Sequence, residues 1–319
     1  MDYVNNIHNS VKGIFMKQKK ERAVIKLKTE KINFDSEIVN DWYYNRQVRI
    51  NFNKCIGWKY LSFLTYKPDG STCKPLRWVQ LHKQEFSYRY VLGKLGYVGY
   101  KPTSIYRDHD NWRKGRKQFS NDYDTRKIQQ EEWKTKWKFQ TLNCDFVIDI
   151  DGESVRSTWH MAKKTLQLLN KFDVMYSVFI SGKKGWTIVV PGHKAIKKED
   201  FEYEGKVYNT HYALALDLCD YLGMHKYIDL SSYYDLRFHK MPYSLDGRNM
   251  RPIIPLSYEE FNNFMDIQKG CDITEEEHPY FTIDYWLLMG IEDKGMSWNN
   301  KGDMTQLKIF LDGVLDDGN

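Results

Sequence analysis

Paired cysteines are missing from this chain. Its five cysteines, Cys55, Cys73, Cys144, Cys219 and Cys271, are widely scattered, and no two stand at Cys-x-x-Cys spacing. That excludes a zinc knuckle read from spacing, and an odd number argues against a secreted disulfide framework. Long apolar runs are also missing: Met1 to Lys20 carries no signal-like segment, and no stretch reaches membrane-spanning length. The expectation is a soluble, intracellular protein with reduced thiols and no membrane partner. Internal repeats and low-complexity linkers are absent too. Charge of one sign does not dominate, since 48 Lys and Arg face 42 Asp and Glu, a formal +6. Such a balance suits a polyanionic partner without demanding one.

Aromatic side chains are plentiful, with 23 Tyr, 16 Phe and 10 Trp among 319 residues. They stack on bases in some proteins and fill cores in most. The first 31 residues are basic, from Lys12, Lys17, Lys19 and Lys20 to Arg22, Lys26, Lys28 and Lys31. A like-charged run of this kind suits either a solvated face or contact with nucleic acid. Residues 58–66 read as a strand, followed by a turn at Pro68-Asp69-Gly70. Residues 101–140 are polar and carry the basic cluster Trp112-Arg113-Lys114-Gly115-Arg116-Lys117.

Regularity rises from Cys144. Cys144–Ile150 is a dense apolar strand. Val155, Trp159, Ala162, Leu166, Leu169 and Phe172 then recur at helical spacing, predicting a helix over 153–172. Met175–Ile180 and Trp186–Val190 read as strands joined by the turn Ser181–Gly185, and Tyr208–Leu222 as a second helix. Ser257-x-x-Glu260 is a capping box opening another helix toward Met265. The order predicts an α+β (α/β) core, mixed or antiparallel sheets flanked by helices, with a mainly helical region from 257 to 319.

Three segments carry candidate chemistry. In Cys144-Asp145-Phe146-Val147-Ile148-Asp149-Ile150-Asp151-Gly152, strand alternation sends Phe146, Ile148 and Ile150 to one face and Asp149 and Asp151 to the other. Two carboxylates about 6–7 Å apart between α-carbons repel each other, and a hard divalent cation relieves that. A strand end opening into a loop at Gly152 fits the pattern as well. Asp145, four residues before Asp149, reads as structural. Ser181-Gly182-Lys183-Lys184-Gly185 is a turn whose glycines allow close backbone approach and whose amides and lysines suit phosphate, or simply a hairpin with solvated lysines. Further on, Asp229 follows Ile228, and Arg237, His239 and Lys240 form a cationic group suited to phosphates or to an ordinary charged surface.

Together these segments resemble the catalytic (small) subunit of archaeal and eukaryotic DNA primase and the wider primase-polymerase superfamily. The family's Asp-x-Asp strand corresponds to Asp149-Ile150-Asp151. Its Ser-Gly-basic-basic-Gly-x-His turn corresponds to Ser181-Gly182-Lys183-Lys184-Gly185-Trp186-Thr187, and its hydrophobic-Asp element to Ile228-Asp229. The trailing Lys240-Met241-Pro242-Tyr243-Ser244-Leu245 and Pro252–Leu256, and the leading Ile105-Tyr106-Arg107, also look like the family. The resemblance spans about 100–260.

It implies a catalytic domain over 1–256, followed by 257–319. It implies two-metal phosphoryl transfer on Mg²⁺ or Mn²⁺ held by Asp149, Asp151 and Asp229. Ser181, Gly182, Lys183, Lys184, Gly185 and Thr187, with Arg237, His239 and Lys240, would bind nucleotide phosphates. The implied partners are a single-stranded DNA template, nucleoside triphosphates, and a primase large subunit or helicase. Thr187 departs from the family's histidine, offering a hydroxyl without positive charge. The missing cysteine cluster departs as well, so no structural zinc is expected. Primer synthesis is the function implied. An end-joining repair polymerase of the same superfamily, or a catalytically degenerate module that binds nucleic acid, are the alternatives.

Overall fold

The computed structural model describes residues 41–56, 61–66, 76–79, 101–108, 110–112, six positions within 122–129, and 141–316 except 183, 204, 234–237, 247–249, 272–276, 292–296, 298 and 299. The basic N-terminal segment, the turn at Pro68–Gly70 and the cluster Arg113–Lys117 lie outside the described residues, as do Lys183 and Arg237.

Two four-stranded sheets organise the chain. Helix α1 (Arg46–Ile56) precedes β1 (Leu61–Tyr66) and β2 (Leu76–Val79). The segment read as merely polar forms β3 (Lys101–Asp108) and β4 (Asp110–Trp112). Its strand character comes from pairing rather than apolar alternation, because β3 lies antiparallel between β1 and a later strand. The predicted strand at Cys144 divides into β5 (Thr141–Cys144) and β6 (Phe146–Asp151). Asp145 separates them, buried, with its Oδ1 accepting the Gly192 amide at 2.8 Å, the structural role read for it.

Helix α2 (Val155–Lys171) starts at Ser154, whose Oγ accepts the Ser157 amide while its own amide donates to Ser157 Oγ. Its buried face, including Val155, Met161, Ala162, Leu166 and Leu169, follows the predicted period. Then come β7 (Ser177–Ile180), β8 (Gly185–Val190), and the hairpin β9 (Asp200–Tyr203) and β10 (Lys206–Asn209). Helix α3 (Thr210–Leu222) follows, N-capped by Asn209. The remaining elements are β11 (Phe238–Lys240), β12 (Pro255–Leu256), α4 (Tyr258–Cys271), α5 (Ile283–Met289) and α6 (Thr305–Asp316). The Ser257 capping box forms in both directions: the Ser257 amide reaches Glu260 at 2.8 Å, and the Glu260 amide reaches Ser257 Oγ at 3.1 Å.

Strand order is β12-β7-β8-β6 in one sheet and β11-β3-β1-β2 in the other, and every pairing of named strands among the described residues is antiparallel. This is the expected α+β class. One face of the β6 sheet, bearing Phe146, Ile148, Ile150, Trp186 and Ile188, packs into the main core with α2 and α3. Trp186 Nε1 donates to Val155 O and Trp159 Nε1 to Phe261 O, each at 3.0 Å, so the indoles anchor helices as well as fill space. Phe261, Phe264, Phe281, Trp286 and Leu307 from the helical C-terminal region join the same core. The opposite face carries a small cluster of Val147, Phe179, Val189 and Ile253. Among the described residues, no helix is long and apolar enough to cross a membrane.

Candidate active site

The second face of β6 continues past Val147 to Asp149 and Asp151. On one side β8 runs antiparallel, placing Thr187 opposite Asp149 and Gly185 opposite Asp151. On the other side Ile150 pairs with Ile228 in an isolated antiparallel bridge, and the Asp151 amide donates to Tyr227 O at 2.7 Å. That register sets Asp229 across from Asp149. Since Ile150 and Ile228 both face the core, the aspartates flanking them share the other face. The two acidic segments are thus neighbours through backbone pairing, although 78 positions separate Asp151 and Asp229. Asp149 and Asp151 are partly buried and Asp229 is exposed.

Electrostatics mark Asp149. Burial, then the neighbouring Asp151, push its carboxyl up from 3.8 to about 6, with Asp229 adding a smaller repulsion. Opposing this are a hydrogen bond from Thr187 Oγ1 to Asp149 Oδ1 at 2.9 Å and the nearby Lys240 ammonium. Among the described residues, no three His, Cys, Asp or Glu side chains stand close enough together to hold a metal ion as a group. What is assembled is an all-oxygen, net-negative face with its most buried carboxyl destabilised as an anion. Oxygen donors are the type that a hard cation such as Mg²⁺ or Mn²⁺ takes, with waters completing its shell.

The turn between β7 and β8 sits at the same end of the sheet. The Ser181 amide donates to Gly185 O at 2.9 Å, and the Gly152 amide to Lys184 O at 3.2 Å, tying the turn to the end of the Asp strand. Gly182 has φ +100, open to glycine at no steric cost. Gly185 is required by proximity: a Cβ there would lie 2.1 Å from Ile150 O and 2.5 Å from Asp151 Oδ1. Ser181 is buried and Lys184 exposed.

The other candidates are placed differently from one another. Lys240, at the end of β11, reaches the turn: its ammonium donates to Ser181 O and pairs with Asp246 Oδ2 at 2.5 Å. His239 is buried within the second sheet, in register with Arg107 of β3. Thr187, read as a phosphate contact, donates its hydroxyl to Asp149 Oδ1 and so orients a carboxylate.

Two residues escaped sequence reading. Asp246 is buried against Gly182, and Arg251 Nη1 donates to Gly182 O at 3.2 Å while its guanidinium lies 3.9 Å over the Phe281 ring. A carboxylate directly after the Pro242–Leu245 segment was the available signal for Asp246. For Arg251 it was a cation directly before the 252–256 strand.

No family model matches the chain, and no curated protein matches it. Among solved structures, the polymerase domain of Mycobacterium tuberculosis ligase D in complex with DNA is similar over 70% of this chain and 82% of its own length, at 12% identity and a TM-score of 0.45. A likeness of that degree assigns no family, so the functional reading rests on the residues of the site.

Proposed function

We propose that this chain is a template-directed nucleotidyltransferase of the primase-polymerase superfamily, synthesising primers on single-stranded DNA from nucleoside triphosphates. The observation that carries the reading is the register of β6. It puts Asp149 and Asp151 on one face, Asp229 on the adjoining segment, and a glycine turn at the same sheet end. Asp149, Asp151 and Asp229 would hold Mg²⁺ or Mn²⁺. When bound, such an ion supplies Lewis-acid chemistry, making an attacking hydroxyl more acidic and steadying the leaving phosphate.

The chain's own residues do the positioning. Thr187 fixes the rotamer of Asp149 through its hydrogen bond. Gly185 lets the Asp151 carboxylate lie over the backbone of the neighbouring strand. Amides of the 181–185 turn, with Lys183 and Lys184, would receive the triphosphate, and Ser181 is fixed by its bond to Gly185. A primase large subunit or a helicase is the partner this reading implies.

A second reading has one observation in its favour. Lys240, a candidate phosphate cation, is already paired with Asp246, as suits a module that binds nucleic acid without catalysis. Incubation with single-stranded template, nucleoside triphosphates and Mg²⁺ or Mn²⁺ separates the two. The catalytic reading expects extension products from the wild type and none from Asp149→Ala/Asp151→Ala. Equal product from both overturns the site. No product from either, with template binding intact, selects the non-catalytic module.

A further inference from the structure

A buried carboxylate lies against the turn proposed for phosphates. The Asp246 side chain is 3% exposed, and its Oδ2 is 2.5 Å from the Lys240 ammonium, itself 22% exposed. A Cβ on Gly182 would lie 2.5 Å from that same oxygen, so Asp246 rests directly on the turn's backbone. Its own main chain is held on both sides: the Asp246 amide donates to Arg251 O at 2.8 Å, and its carbonyl accepts the Met250 amide at 2.9 Å. The Asp246 backbone is therefore anchored, and its side chain is buried.

Carboxylates and phosphates compete for the same donors and repel each other at close range. With Asp246 in place, the Lys240 charge is neutralised, and Lys240 is committed to Ser181 O as well. Lys240 then acts as a strut that braces the turn from inside. An anion approaching the turn meets an ion pair with no net positive charge, in a partly buried setting where screening by water and salt is weak.

We infer that Asp246 is a specificity-determining residue of the 181–185 turn, withholding the Lys240 charge from ligands, so that polyphosphate arriving without a divalent cation gains no added attraction there. The inference rests on the reading of this turn as a phosphate site. A triphosphate already complexed with Mg²⁺ carries less net charge and loses less from the absence of a free Lys240 charge. Asp246 would thereby couple nucleotide entry to the cation that the neighbouring aspartates require.

Calorimetric titration of the full chain with inorganic triphosphate and with ATP, in EDTA and in Mg²⁺, tests this. Asp246→Asn is expected to bind both ligands about tenfold more tightly than wild type in EDTA, the equivalent of one added charge-assisted contact. In Mg²⁺ the gain should shrink to about threefold or less, because the complexed ligand gains less from the freed Lys240 charge. Adding Lys240→Met to Asp246→Asn should abolish the gain and return affinity to within about threefold of wild type, one neutral pair replacing another. Circular dichroism checks folding. If the single variant fails to fold, Asp246→Ser and the double variant carry the test. Unchanged or weaker binding by a folded Asp246 variant in EDTA overturns the inference, as does a double variant tenfold weaker than wild type. Absence of triphosphate binding by every form in Mg²⁺ overturns instead the phosphate-turn reading beneath it.

Discussion

Replacing Asp149 by asparagine should stabilise the metal-free protein while removing its proposed chemistry. The Asp149 carboxyl titrates at about 6 in the folded chain against 3.8 for a free aspartate. Two pH units at about 1.4 kcal/mol each make the ionised form costly by about 3 kcal/mol. Water at the partly exposed edge of the site lowers that to about 2 kcal/mol. An acid raised on folding favours the folded state below its unfolded value, and that benefit is lost as pH rises from 3.8 through 6. At pH 7.5 the wild type carries the whole penalty.

Asparagine keeps an oxygen for Thr187 and carries no charge, so Asp149→Asn should gain about 2 kcal/mol in urea unfolding at pH 7.5 in EDTA. Near pH 4 the two proteins should converge. The comparison must be between variants, because buried His211 works in the opposite direction. Burial depresses its imidazole from 6.5 to about 4, so stability drains from wild type and variant alike as pH falls through that range. Adding Mg²⁺ or Mn²⁺ at about 100 times its dissociation constant stabilises only the wild type, by about 2.7 kcal/mol, and reverses the ranking. An Asp149→Asn protein less stable than wild type in EDTA at pH 7.5 would refute the reasoning.

Thr187→Val removes the hydroxyl that orients Asp149 and should destabilise the metal-free protein by about 1–2 kcal/mol at pH 7.5, with Thr187→Ser largely restoring it; urea unfolding of the pair measures this, and equal loss in both would point to packing instead. Gly185→Ala drives a methyl group into Ile150 O and should cost about 3 kcal/mol or more, or prevent folding; wild-type thermal stability would contradict the close approach of β8 to β6. Ser257→Ala removes a capping box and should cost about 1 kcal/mol in urea unfolding, and no loss would show that α4 is held by its core contacts alone. Phe264→Ala opens a space beside Trp186 and His278 and should cost about 3–5 kcal/mol; a loss under about 1 kcal/mol would mean the C-terminal helices contribute little to the shared core.

Local signals made much of this architecture legible. Alternation from Phe146 to Asp151 separated the core-facing from the acidic face without any tertiary information. The spacing from Val155 to Leu169 revealed α2, and Ser181–Gly185 revealed the hairpin between β7 and β8. What stayed hidden depends on contacts between distant segments. Residues 101–112 look polar because their strand character comes from pairing with β1, β5 and β11. Thr187 could be matched to a family position, but its partner Asp149 follows from the β6–β8 register. Asp246 reads as one more loop carboxylate until the fold lays it on Gly182, 64 positions earlier in the sequence. Even the adjacency of Asp229 to Asp149 depends on a single bridge at Ile228, which no local pattern announces.

Direct measurement of Mn²⁺ binding by electron paramagnetic resonance bears most closely on the shared acidic face. The wild type should bind Mn²⁺, and Asp149→Asn, Asp151→Asn and Asp229→Asn should each weaken it by about tenfold or more, the loss of one charged ligand. Wild-type affinity and stoichiometry retained in all three variants would contradict the account.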